Sequence, residues 1–203
     1  MERTVLVIKT ARLFELVPYF QGFSACKSEI IGLLEENSVW LNKKQAEEDP
    51  TFKQLIGYCA IIGPDKKIFT YRRAVKDAQY EEKRLQGKWS IGIGGHVEPL
   101  DSAEKGFVAA SISREINEEI RVEGGIITNI KLFGTINDDS NSVGQVHFGL
   151  LMTARVSSSL VKPKDPEIAF GESKTIEEIH SLFQIEKESV ENWSLIAISH
   201  IHP

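Results

Sequence analysis

Glu115, Glu118 and Glu119 stand at i, i+3 and i+4 in the segment VAASISREINEEIRVEG, residues 108–124. On a helix they share one stripe. Left bare, they repel by a few tenths of a kcal/mol per pair, roughly. A hard divalent cation such as Mg²⁺ or Mn²⁺ turns that repulsion into attraction, because it takes oxygen ligands and keeps waters that a substrate can replace. Val108, Ile112, Ile116 and Ile120 repeat every four residues and give the same helix an apolar stripe. Taken alone, the glutamates read first as a solvated acidic face, and Arg114 beside Glu115 as a surface pair of little energetic weight.

The upstream residues change that balance. Gly94-Gly95-His96-Val97-Glu98 lies between an apolar run and the helix, and Asp101 follows. Glycines there let backbone approach a ligand closely. With each charged type near 6% of residues, Arg-Glu-x-x-Glu-Glu arises by chance in roughly one chain in several hundred of this length. Residues 95–120 resemble the Nudix box of the Nudix hydrolases, Gly-x5-Glu-x7-Arg-Glu-U-x-Glu-Glu-x-Gly-U, with U aliphatic. Gly95 matches the opening glycine, and residues 114–119 match the core in full. There are three departures. Asp101 stands for the first Glu, twelve residues rather than seven separate it from Arg114, and Arg121 replaces the glycine after the Glu pair.

The resemblance implies metal-dependent hydrolysis of a diphosphate linkage in a nucleoside diphosphate-linked or similar small molecule, by water attack at phosphorus. It implies a metal set of Glu115, Glu118, Glu119, the backbone carbonyl near Gly95, and an acid such as Glu167 from the loop after the last strand. The catalytic residues it implies are Glu118, Glu115 and Arg114, the arginine holding a glutamate in place. Glu118, Glu167 and Glu172 are the candidate general bases. Substrate contacts are expected from Arg72, Arg73, Gly95 and His96. Lys88 is a further cation, His147 a further cleft residue, and Phe170 or Tyr80 a surface for stacking a base. Each of these also has an ordinary structural reading, as a surface cation, a sheet histidine or a core aromatic. Dimerisation, common in the family, is implied by analogy alone.

These residues need a scaffold. Residues 5–8 read as a strand, 11–21 as a helix interrupted by Pro18, 28–36 as a helix, and 43–48 as a loop or short helix. Residues 55–63 and 67–72 form a hairpin, 89–93 a strand, about 103–122 the acidic helix, and 126–135 and 143–156 strands. Residues 162–171 read as a loop, and 175–183 as a helix with a Thr175/Glu178 capping box. Residues 187–201 read as a last helix. This is an α+β chain with a mixed sheet. The resemblance makes it a Nudix-like α/β/α sandwich over residues 55–203, with residues 1–54 as an N-terminal α/β extension.

The 203 residues carry 24 Lys and Arg against 29 Asp and Glu, a formal charge of −5, and 41% hydrophobic residues. That composition excludes a disordered chain and a disulfide miniprotein. The acidic balance argues against a nucleic-acid partner. Residues 5–8 are too short for a signal segment, and no apolar run approaches a membrane span. Cys26 and Cys59 lack any metal or redox spacing, which fits reduced thiols in a cytoplasmic protein. Two other readings stay open: a nucleotide-sensing module on the same fold that does not hydrolyse, and a diphosphate isomerase using a cysteine such as Cys59.

Overall fold

The computed structural model describes residues 3–75, 83–101 and 106–203. Tyr80 therefore lies outside the described residues. The chain divides into two units, Met1–Tyr58 with Gly94–Glu115 and Leu132–Met152, and Cys59–Ile93 with Ile116–Lys131 and Thr153–Pro203. The first unit takes in the leading 54 residues together with the glycine loop and most of the acidic helix.

In the first unit, β1 (Thr4–Lys9) pairs antiparallel with β3 (Ser38–Asn42), Val5 opposite Leu41, and with the start of β4 (Phe52–Ile62), Val7 opposite Gln54. Val5, Val7 and Ala46 form a buried cluster with Leu41 and Phe52 against it. Ala46 belongs to α3 (Lys43–Glu48), whose first turn is capped by Asn42 accepting from the Lys44 and Gln45 N–H groups. The helix expected to run through Pro18 is α1 (Thr10–Leu16). It stops because Val17, the residue before proline, is pushed to extended backbone. Helix α2 (Glu29–Glu36) forms as expected. The short β2 (Gly22–Ser24) was not read from sequence, and it pairs with the end of β9 (Ile127–Asn137).

Strand β10 (His147–Val156) begins four residues later than the pattern suggests, because α5 (Ser142–Gln145), capped by Asn141, occupies its expected start. The Gln54 N–H donates to the Val146 carbonyl at 2.8 Å, so β4 and β10 start side by side and run the same way. Helix α4 (Phe107–Glu119) packs closely on β4. Val108 and Ile112 are fully buried, and a Cβ on Gly57 would lie 2.1 Å from Ile112 Cδ1.

In the second unit the end of β4 turns back through Lys66, at φ 63°, into β5 (Ile68–Arg73). The strand expected at residues 89–93 is split. β6 (Trp89–Ser90) pairs with β5, and β7 (Gly92–Ile93) pairs with β4 at Cys59. The acidic helix ends at Glu119, not Val122. The chain enters β8 (Ile120–Val122), where Arg121 faces Lys162 of β11 (Val161–Pro163). The segment read as a loop at 162–171 holds β11 and the start of β12 (Ile168–Lys174), which pairs antiparallel with β5. Its two prolines suggest a loop, yet Pro163 ends β11 and Pro166 lies between the two strands. Gly171 is there for packing, since a Cβ would lie 2.4 Å from Phe69 Cζ. Helix α6 (Ile176–Ile185) carries the expected Thr175/Glu178 capping box. The last helix is shorter than expected, α7 (Asn192–Ile198) after a tight turn at Lys187–Ser189.

The fold class is α+β with a mixed sheet, as expected. Among the described residues, no helix is long and apolar enough to cross a membrane.

Gly94 sits at φ 154°, and a Cβ there would fall 1.9 Å from the Gly57 carbonyl oxygen. Backbone cannot give way as a side-chain tip does. Gly94→Ala should therefore cost at least about 3 kcal/mol, read by calorimetry as a fall in Tm of roughly 6–12 °C. A Tm within 2 °C or so of wild type would show that the loop has another conformation open to it.

Candidate functional site

Arg114 organises the loop in the first unit. Its Nε donates to Asp101 Oδ1 at 2.8 Å and one terminal nitrogen to Asp101 Oδ2 at 3.2 Å. The other terminal nitrogen donates to Glu115 Oε1 at 2.8 Å, and the His96 carbonyl accepts at 3.2 Å. Burial alone would lower the arginine pKa. The carboxylates of Asp101 and Glu115 more than offset that and hold the guanidinium firmly charged. Asp101 also accepts from the Glu98 N–H at 2.8 Å, and its side chain is 1% exposed. Despite the longer connection to Arg114, it makes the bidentate pair. Arg114 acts here as a positioning residue, with its fork directed at protein acceptors.

Glu115 is buried, and its carboxylate lies against the glycine loop. A Cβ on Gly95 would come 2.6 Å from Glu115 Oε1, so any larger residue there would displace this carboxylate. The Gly95 carbonyl accepts from the Gly57 N–H at 3.2 Å, which leaves it a second lone pair. Further along the same helix Glu118 is exposed and Glu119 half-buried. The three carboxylates keep the i, i+3, i+4 spacing of one helix face. Carboxylates with a nearby carbonyl make an all-oxygen donor set, which suits a hard cation such as Mg²⁺ or Mn²⁺.

Helix α4 is held at its start by a residue that no motif signals. Glu35, on α2, accepts from the Val108 N–H at 2.8 Å with a separation of 73 residues. Glu98 is ion-paired to Arg3. A second cluster was only partly foreseen. His96 and His147 approach Nε2 to Nε2 at 3.4 Å, and Glu47 from α3 joins them. Burial, then the nearby charges of His147, Lys43, Arg3 and Arg114, hold His96 well below the usual histidine range, so its ring is neutral.

The other expected residues belong to the second unit. Arg72 donates to the Gly87 carbonyl at 3.0 Å, and its guanidinium lies 5.9 Å from the Trp89 ring centre. Arg73 is ion-paired to the buried Glu191, which Ser90 Oγ also reaches at 2.8 Å. Lys88 donates its N–H to Leu85 and accepts from Arg73 through its backbone. Glu167 is exposed just before β12, its carbonyl accepting from the Ala74 N–H. Glu172 is exposed and pairs with Lys174. Phe170 is half-exposed and edge-on to Trp89. Cys59 is fully buried, and burial pushes its thiol far up.

No protein-family model matches the chain. Protein YmaB of Bacillus subtilis (strain 168) is 32% identical over 166 residues, which is 79% of this chain and 79% of that protein. The crystal structure of Tm1382, assigned as a Nudix hydrolase, superposes with a TM-score of 0.78 at 26% identity. It covers 97% of this chain and 96% of its own, so the likeness takes in the leading 54 residues. The NUDIX domain of Shewanella oneidensis NrtR, complexed with ADP ribose, shares the fold at a TM-score of 0.54 and 12% identity, over 73% of this chain and 85% of that one.

Asp101→Ala would leave Arg114 short of two acceptors and the Glu98 N–H unpaired. Urea unfolding should show a loss of about 3–5 kcal/mol, as for a broken buried pair. Asp101→Asn keeps an acceptor oxygen and should lose clearly less. Equal, small losses from both would place this ion pair among the weak surface ones.

Proposed function

The chain belongs to the Nudix hydrolase family, and from that premise we propose that it hydrolyses a diphosphate linkage in a small nucleoside diphosphate-linked molecule, using Mg²⁺ or Mn²⁺. The observation that carries the reading is the fixed Glu115 carboxylate, clamped by Arg114 and seated against Gly95 at the head of the Glu118–Glu119 face.

Glu115, Glu118 and Glu119 would hold the cation, with the free lone pair of the Gly95 carbonyl as a further oxygen. The bound cation neutralises diphosphate oxygens and acidifies water. Glu118 is the exposed member of the set, and we assign it the proton of the attacking water. Glu115 is too firmly held by Arg114 to serve as a mobile base, and its role is to anchor. Arg114 keeps that anchor in place. Arg72, stacked on Trp89, is the cation we assign to a substrate phosphate. Arg73, bound to Glu191, supports the same strand from within. Glu167 is kept as a second acid to be tested beside Glu118.

Two rival readings have less support. A sensing module that does not hydrolyse has no need of three intact glutamates. A cysteine-dependent isomerase needs a reachable thiolate, and Cys59 is a buried thiol held neutral.

A panel of ADP-ribose, dinucleoside polyphosphates, nucleoside triphosphates and nucleotide coenzymes with Mg²⁺ or Mn²⁺, scored for released monophosphate or phosphate, identifies the substrate. On the best of these, Glu118→Gln should keep the fold and lower kcat by on the order of 100-fold or more. Glu167→Gln reports whether the second acid takes part, and Cys59→Ala should leave the rate unchanged. Wild-type turnover in Glu118→Gln would remove the assignment.

A further inference from the structure

His147 opens β10 at 5% exposure, and its Nδ1 lies 2.6 Å from the Val143 carbonyl oxygen. A carbonyl only accepts, so Nδ1 carries the proton and, in the neutral ring, Nε2 is left as a lone pair. That lone pair faces Glu47 Oε1 at 3.5 Å and His96 Nε2 at 3.4 Å. Glu47 Oε1 lies 3.8 Å from His96 Nε2. Two ring nitrogens and a carboxylate oxygen thus converge on one point, all three of them atoms that can ligate a metal ion.

The spacing says what fits. Ligand atoms about 2.0–2.2 Å from a tetrahedral ion lie about 3.3–3.6 Å from one another. The three separations here are 3.4, 3.5 and 3.8 Å. The rings are inclined at 62°, with centres 5.5 Å apart. Each ligand is also braced. The His147 Nδ1 contact to a backbone carbonyl is the partner that metal-bound histidines use to fix ring and tautomer. The His96 backbone is held through its carbonyl, which accepts from Ser111 Oγ at 3.1 Å and from Arg114. Glu47 sits on a helix capped by Asn42.

We propose that Glu47, His96 and His147 form a second metal site, for a zinc-class divalent ion, separate in chemistry from the oxygen site on α4. Two imidazoles and one carboxylate suit zinc or cobalt far better than magnesium. Three protein ligands leave a fourth position to water. The ion ties residue 47, in the leading segment, to the glycine loop and to the first residue of β10. This site does not depend on the reading of the helix carboxylates as catalytic.

The test uses the full chain, stripped of metal by a chelator and titrated with Co²⁺ in excess Mg²⁺ that occupies oxygen sites. One equivalent should bind with the strong visible absorption of tetrahedral cobalt, and Zn²⁺ should displace it. Glu47→Gln and His147→Gln should each weaken binding by at least about 100-fold, beyond the 10–100-fold of a change outside the ligand shell. Glu118→Gln should keep the full signal, so failure of the α4 assignment and failure of this one are told apart. Zn²⁺ should raise the Tm of wild type and not that of Glu47→Gln, whose half-exposed position keeps the test valid if His147→Gln folds poorly. Absence of a saturable one-equivalent signal overturns the site. So does a signal that survives in Glu47→Gln, or one lost in Glu118→Gln alone.

Discussion

Arg114 joins three groups, the Asp101 carboxylate, the Glu115 carboxylate and the His96 carbonyl. The rest of the first unit's chemistry depends on that junction. A guanidinium presents its donors in one rigid plane, so engaging Asp101 through two nitrogens dictates where the remaining donors point. Glu115 is thereby set against the loop at Gly95, where a Cβ would push its carboxylate aside. A lysine would keep the charge and lose the plane.

How much of this was legible in the sequence depends on distance along the chain. The acidic stripe and the apolar stripe of α4 are periodic within one helix, so both could be read, and Val108, Ile112 and Ile116 are all buried as the period requires. The pairing of Asp101 with Arg114 is not legible in the sequence, because the twelve residues between them break the family spacing. Glu35 and Glu47 could not be found at all. Each is a lone glutamate in a short helix, and its significance lies in partners 49–100 residues away. The second unit repeats the lesson for strands. Residues 162–171 carry two prolines and resemble a loop until β8 and β5 supply partners for β11 and β12. Gly171 is a packing requirement of Phe69.

The net charge of −5 also needs resolving by place. Several basic residues of the first unit are already committed, Arg3 to Glu98, Lys53 to Asp139, and Arg114 to Asp101 and Glu115. Lys53 is almost wholly buried while making its pair. Such cations organise the interior and add little attraction for a phosphate. The positive charge that a diphosphate needs must then be imported, and the exposed and half-buried glutamates at the end of α4 are suited to import it.

The carboxylate of Glu35 on the Val108 N–H has a bearing on how the protein is made. Chains leave the ribosome N-terminus first, at about 5–20 residues per second. The 73 residues between the two partners therefore correspond to roughly 4–15 s of synthesis. When the first turn of α4 emerges, the group that caps it has already been waiting for longer than a helix takes to form. The leading segment of the chain serves as a template laid down in advance for the helix that follows.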